Sequence, residues 1–359
     1  MEINGAIKRN GAEGYFAASN TRRGFYSLYD EIYSERELEQ VFIIKGGPGT
    51  GKSTMMDRIA ERASCEKMHT EIYLCSSAPD SIDGIIINEL GVAVLDGTAP
   101  HTRDPAYPGV CGATVDLSRF WDSDKLRASR EEVTGLIQSK AAAYQRAYRY
   151  LSASGEAYED VVWGAEKFFC REKAEKAAKR LLDKHRLTQR DSRVSTKRKF
   201  VGAVSTSGEC LLDTFERKAK KICLVNEMYG AQTLFIDILK NEGEKRGLKM
   251  TVVPDPVAPE YTNGIFFEDN GLYVTSKMAN EHDADVINMK RFVDKNALSL
   301  NRAKERMSEK MKSVLLDEAL SSLAEAGSFH AQTEQIYGCA MNFDGVQSTT
   351  EKLISRIFG

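Results

Sequence analysis

The 359-residue chain has no run of 18 apolar residues, no C-x-x-C pair and almost no excess of either charge. Without a long apolar run there is no segment fit to span a bilayer as a helix. Met1 to Gly14 also lacks the apolar core of a secretory leader, so the expectation is a soluble cytoplasmic protein. Seven cysteines, at 65, 75, 111, 170, 210, 223 and 339, are scattered without metal-ligand spacing. Several sit in apolar runs such as Ile222-Cys223-Leu224, and they read as buried free thiols of a reducing compartment. Acidic and basic residues number 52 and 50, so overall charge gives no reason to expect a nucleic acid or an anionic membrane as partner. The length exceeds what one hydrophobic core usually serves, and about two domains are expected.

What the chain does have is Gly46-Gly47-Pro48-Gly49-Thr50-Gly51-Lys52-Ser53, followed by Thr54. It reads G-x-x-x-x-G-K-S, the pattern of a phosphate-binding P-loop. Val41-Phe42-Ile43-Ile44 before it suits a buried parallel strand, and Ser53 to Arg62 after it suits a helix. Glycines let successive N–H groups converge on phosphate oxygens, and the helix N-terminus adds partial positive charge. In this reading Gly46 to Thr54 hold the nucleotide, Lys52 reaches the β- and γ-phosphates, and Ser53 ligates Mg²⁺. Gly91-Val92-Ala93-Val94-Leu95-Asp96 follows about 40 residues later, four apolar residues ending in an aspartate, the form of a Walker B strand. Asp96 is therefore the second metal-binding candidate and, with Lys52, the catalytic pair.

In chain order, Gly14 to Ser19 reads as a strand, Asn20 to Gly24 as a turn and Phe25 to Tyr33 as an amphipathic helix. Thr70 to Cys75 is a further strand, Gly84 to Asn88 another, and Val115 to Leu117 a short one. From Lys125 to Ser152 the apolar spacing is helical, with Tyr144, Tyr148 and Leu151 read as core. Gly155 punctuates, and Tyr158 to His185 forms a second helix, closing the half with a helical hairpin. Residues 186–199 are basic and polar and read as a linker. The expected division is thus a nucleotide-binding domain at 1–185, the linker, and a degenerate domain at 200–359.

Past the linker the pattern repeats at an offset near 180 residues. Phe200 to Gly208 lies over Phe16 to Gly24, Ala258-Pro259 over Ala78-Pro79, Asn263-Gly264 over Asp83-Gly84, and Gly271 to Ser276 over Gly91 to Asp96. A second hairpin is expected at about Asn296–Glu325 and Ala331–Ile357. In this alignment Lys52 becomes Ala231, Ser53 becomes Gln232, Gly46 becomes Val225 and Asp96 becomes Ser276. Phosphate charge, metal ligands and loop flexibility vanish together, so the second copy is expected to bind no Mg·NTP. The fold class expected is α/β, with tandem P-loop NTPase domains, each a mainly parallel sheet flanked by helices.

These motifs, with Arg23 to Ser27, Cys75 to Gly84 and Leu95 to His101, give the chain a resemblance to a poorly characterised family of bacterial tandem P-loop ATPases. It extends over nearly the whole chain. The resemblance implies a duplicated α/β P-loop domain that binds nucleotide, and it implies no particular substrate. Both halves of such proteins can carry a P-loop; the second half here departs from that.

Gly97 follows Asp96 where many ATPases place a glutamate that orients the attacking water. Glu89, Asp80 and Asp83 are the substitutes to consider, with turn stabilisation as their alternative role. His101 is a loop histidine within reach of a γ-phosphate or simply solvated. Arg22, Arg23, Arg103 and the linker arginines are candidate phosphate contacts, and Phe25 or Tyr26 a candidate adenine platform. The leading expectation is a Mg²⁺-dependent ATPase whose nucleotide state changes its contact with the inert repeat. A small-molecule or nucleotide kinase and a non-catalytic ATP-responsive scaffold, each with an unidentified protein or small-molecule partner, are the alternatives. No N-K-x-D motif separates GTP from ATP.

Overall fold

Two six-stranded sheets, laid down in the same order by the two halves of the chain, organise the computed structural model, which describes residues 11–188 and 196–359. The first half runs β1 (Glu13–Phe16), the hairpin β2 (Ala18–Thr21) and β3 (Gly24–Ser27), α1 (Tyr29–Ile32), β4 (Gln40–Lys45) and α2 (Lys52–Cys65). It continues with β5 (Thr70–Leu74), β6 (Ile82–Ile87), β7 (Val92–Asp96), β8 (Gly112–Asp116), α3 (Ser123–Ala128), α4 (Arg130–Ala165) and α5 (Arg171–Lys184). The second half repeats this: β9 (Lys197–Arg198), the hairpin β10 (Gly202–Ser205) and β11 (Gly208–Leu211), α6 (Thr214–Lys218), β12 (Lys221–Val225), α7 (Ala231–Lys245) and β13 (Met250–Pro254). Then come β14 (Thr262–Phe267), β15 (Leu272–Thr275), β16 (Asp285–Ile287), α8 (Lys295–Cys339) and α9 (Phe343–Phe358).

The first sheet is ordered β1-β5-β6-β7-β4-β8 and the second β9-β13-β14-β15-β12-β16. Only β6 and β14 run antiparallel to their neighbours. Short connections on either side of β6 leave no room for a crossover, and a direct turn can only reverse the chain. Gly91, in the left-handed region at φ +60°, makes the turn into β7. β4 lies second from the edge with Val41 to Ile44 fully buried, which accounts for its uninterrupted apolar run.

Several expected elements are redrawn. Phe25 belongs to a hairpin strand rather than a helix, and α1 is a single turn. α4 passes through Gly155 without a break, because the bare Cα lies against Arg22, whose Cβ would stand 2.5 Å from an added methyl. Gly327 in α8 does the same against Thr206, at 2.8 Å. These glycines are points of close approach, not helix ends. The helical hairpins turn instead between Ala165 and Arg171 and between Cys339 and Phe343. Cys65 and Cys339 are exposed, contrary to the expectation of buried thiols, and all seven cysteines are free. No helix among the described residues is long and apolar enough to cross a membrane.

The two halves embrace. α4 and α8 pack along each other, with Ser154 donating to the Lys312 carbonyl at 2.9 Å and Gly164 against Glu305. Each hairpin turn then docks on the loop after the last strand of the other sheet. Asp122 N–H donates to Ala340 O and Asp294 N–H to Phe168 O, both at 2.8 Å. The same carboxylates cap α3 and α8. As a result α9 contributes Val346 and Leu353 to the core around β4, while α5 and the end of α4 join the core around β12. Arg198 pairs with Glu31 and Lys199 with Glu71, so the described end of the basic linker ties the halves together; residues 189–195 lie outside the described residues.

Candidate functional site

β4 ends at Lys45 and α2 begins at Lys52, and the loop between them is shaped by two left-handed glycines, Gly49 at φ +67° and Gly51 at φ +86°. L-residues with a Cβ rarely adopt such angles, so the positions require glycine. The Thr50 hydroxyl donates to Gly47 O at 2.9 Å and pins the loop. The orphan N–H groups of the first turn of α2 lie at this loop. Lys52 folds back over it, its ammonium donating to Gly46 O at 3.0 Å and Gly47 O at 2.7 Å, and standing 3.5 Å from Asp96 Oδ2. Asp96 closes β7, where Ile44 pairs with it across the sheet, and its Oδ1 accepts from Thr98 N–H and Oγ1. Burial raises its pKa, Lys52 works against that, and Asp83 adds to it. Desolvation is the larger influence, ahead of the attraction of the Lys52 ammonium.

Asp83 reaches this group through a β-bulge. Tyr73 pairs with Gly84 and Leu74 with Ile82, so Asp83 is the extra residue on β6. It is 6% exposed and accepts a hydrogen bond from His101 Nε2 at 3.0 Å. His101, at 9% exposure, stacks on the Tyr29 ring with centroids 4.1 Å apart and planes 6° from parallel, while Phe25 meets it edge-on at 4.8 Å. Its Nδ1 is buried without a hydrogen-bond partner among the described residues. Far from being solvated, His101 is the best-held histidine of the site.

Of the remaining candidates, Ser53 accepts from Ile82 N–H at 2.9 Å through its hydroxyl, one residue before Asp83 in the chain. Thr54 is exposed. Glu89 is at the opposite end of the sheet, where it accepts from His69 N–H at 2.8 Å, and Asp80 is exposed on a turn. The arginines do structural work elsewhere. Arg22 holds Glu159 at 2.6 Å and Gly155 O at 3.0 Å, Arg23 leans toward Glu260, and Arg103 donates to the carbonyls of Tyr29 and Tyr33. Tyr26 accepts from Arg198 and packs on Phe200, which removes it as an adenine platform, and Phe25 faces His101. Two features escaped sequence reading: the Asp83–His101–Tyr29 assembly, joined only by folding, and the cover on the loop. That cover comes from the second repeat. A Cβ on Gly49 would stand 2.5 Å from Glu334 O, one on Gly47 3.3 Å from the Tyr337 ring, and one on Gly51 3.5 Å from Val346. His330, one turn before Glu334, is within electrostatic reach of Lys52 and Asp83, and burial lowers its pKa.

In the second sheet the register corrects the sequence alignment. Leu224 pairs with Thr275 as Ile43 does with Leu95, so Val225 stands at the place of Ile44, not of Gly46. Residues 226–230 then join Val225 to Ala231 where residues 45–51 join Ile44 to Lys52, so the second loop is two residues shorter. Gln232 Oε1 accepts from Met228 N–H at 2.8 Å and fills the loop from within. Ser276 and Asn263 stand at the places of Asp96 and Asp83, and Asn263 occupies the same bulge. The α4 face covering this loop is Tyr158, Val161 and Val162, with Tyr158 OH and Thr233 Oγ1 2.8 Å apart.

Among the described residues no three His, Cys, Asp or Glu side chains are grouped to hold a metal alone. The donor set of Ser53 and Asp96 fits an ion that takes its remaining oxygens from phosphate and water. No family model matches the chain, and no curated protein or solved structure does either.

Proposed function

We propose that loop 46–53 is a P-loop that binds Mg·ATP, and that the protein is a P-loop NTPase, a tandem duplication with one working site. The observation that carries this reading is the placement of Lys52: its ammonium sits on two loop carbonyls beside the half-buried strand-end carboxylate of Asp96, whereas the matching helix of the second repeat begins with Ala231. A triphosphate in the loop would exchange those carbonyls for β- and γ-phosphate oxygens. Ser53 and Asp96 would hold Mg²⁺, which neutralises phosphate charge and polarises the γ-phosphorus. The contact of Glu334 O with Gly49 supports nucleotide-dependent coupling, because a loop that shifts on loading must move α8. Hydrolysis is the favoured reaction, with transfer to a small-molecule acceptor distinguished by dependence on an added metabolite.

The test is a titration of Mg·ATP into the full chain and into Lys52→Ala. Wild type should bind one nucleotide per chain. The variant should bind about 10- to 100-fold more weakly, the loss of one charge-assisted contact of roughly 1.5–3 kcal/mol. Unchanged affinity would reject the site.

A further inference from the structure

We infer that Asp83, positioned by His101, orients and deprotonates the oxygen that attacks the γ-phosphorus; this rests on the Mg·ATP reading above. The usual place for such a carboxylate is closed. A Cβ on Gly97 would lie 2.2 Å from Ile43 Cγ2 and 2.9 Å from Arg103 O, so no glutamate fits after Asp96. The bulge of β6 supplies the alternative, re-aiming Asp83 toward the neighbouring strand end that carries Asp96. With Glu89 and Asp80 elsewhere, Asp83 is the carboxylate of the three that the fold brings to Lys52 and Asp96.

The second repeat serves as an internal control. It keeps the bulge and replaces the acid with Asn263, and the same repeat has Ala231 and Ser276 for Lys52 and Asp96. The fold therefore tolerates an amide at this position. The acid is present only where the phosphate and metal groups are present. His101 is the positioning residue: its Nε2–H fixes one carboxylate oxygen, and Tyr29 and Phe25 fix the ring.

In the step itself, the attacking oxygen of water forms its bond to the γ-phosphorus while the bond to the β,γ-bridging oxygen breaks, its electron pair leaving with ADP. The proton of the attacking oxygen passes to the Asp83 carboxylate and from there to solvent.

Asp83→Asn and His101→Gln separate this role from a structural one, since Asn is already accommodated in the matching bulge. ADP formation from Mg·ATP is measured in the full chain beside equilibrium binding of a fluorescent ATP analogue, with a thermal melt of each variant. Turnover should fall by about 100-fold or more in Asp83→Asn, and less in His101→Gln, with nucleotide affinity kept within about threefold. Asp80→Asn should turn over like wild type. Turnover within threefold of wild type in a folded Asp83→Asn overturns the inference, as does wild-type protein that binds Mg·ATP and forms no ADP. Failure of wild type to bind Mg·ATP rejects the nucleotide reading itself, and the inference with it.

Discussion

The loops at 46–51 and 226–230 stand at the same place in two sheets of one strand order, and both turn through left-handed residues, Gly49 and Gly51 in the first and Tyr229 and Gly230 in the second, yet only the first leads into a lysine. The second sheet shows what this architecture needs in order to stand: apolar strands, a bulge, one glycine before the helix, and a helix of the other repeat lying across the loop. Lys52, Asp96, Asp83 and His101 are absent from that set. The carboxylates of Asp83, which is buried, and Asp96, which is half-buried, lose hydration in the first lobe, where Asn263 and Ser276 of the second show that neutral residues suffice. These are the groups that the proposed function employs.

The comparison is most sharply tested by moving a charge across it. Ala231 is 0% exposed, and Ser276 stands where Asp96 faces Lys52, so Ala231→Lys buries an ammonium without the strand-end carboxylate and should cost about 3 kcal/mol or more. Denaturant midpoints should fall accordingly, and a nucleotide titration should still report one site. A second bound ATP would show that the shorter loop, with Gln232 inside it, is not the barrier described above.

Next in size is Gly49→Ala. The residue adopts φ +67° and its new methyl would meet Glu334 O at 2.5 Å, so strain and displacement of α8 should together cost about 1–3 kcal/mol. Amide exchange within 330–339 should rise with it. Unchanged exchange there would mean that the loop and α8 are not mechanically linked.

Much of this architecture was legible because it is local. Val41 to Ile44, the loop and the first turns of α2 follow one another in the chain, and the Asp96 strand carries its own apolar signature. The repeat was legible too, although the misplacement of Val225 shows that a two-residue shortening hides inside a pattern of small residues. What could not be read was made by contacts between distant segments. Gly155 looks like a break because a sequence does not show Arg22 lying on it, and Gly327 fails to look like a strand partner's neighbour for the same reason. Asp83 and His101 meet across a bulge and a loop, and neither has a spacing that announces the other. Arg22, Arg23 and Arg103 show the reverse error: positive charge near a phosphate motif reads as a ligand until its carboxylate and carbonyl partners are in view.

The smallest effect concerns the seam where the repeats join. Glu305 on α8 is 1% exposed, lies against Gly164 of α4, and has both carboxylate oxygens without a hydrogen-bond partner among the described residues. Burial raises its pKa, so the folded chain holds the proton more tightly than the unfolded chain does. The sign follows: stability from this group is fully present below the ordinary glutamate value and is lost as pH rises through the raised one. Glu305→Gln removes the charge while keeping the shape and should stabilise the protein at neutral pH by about 1 kcal/mol. The gain should shrink on acidification, which melts recorded from pH 7 down to pH ~4 would follow. A variant less stable than wild type at neutral pH would mean that the carboxylate is paired in solution, and that the seam between α4 and α8 is held by charge rather than by the close approach of Gly164.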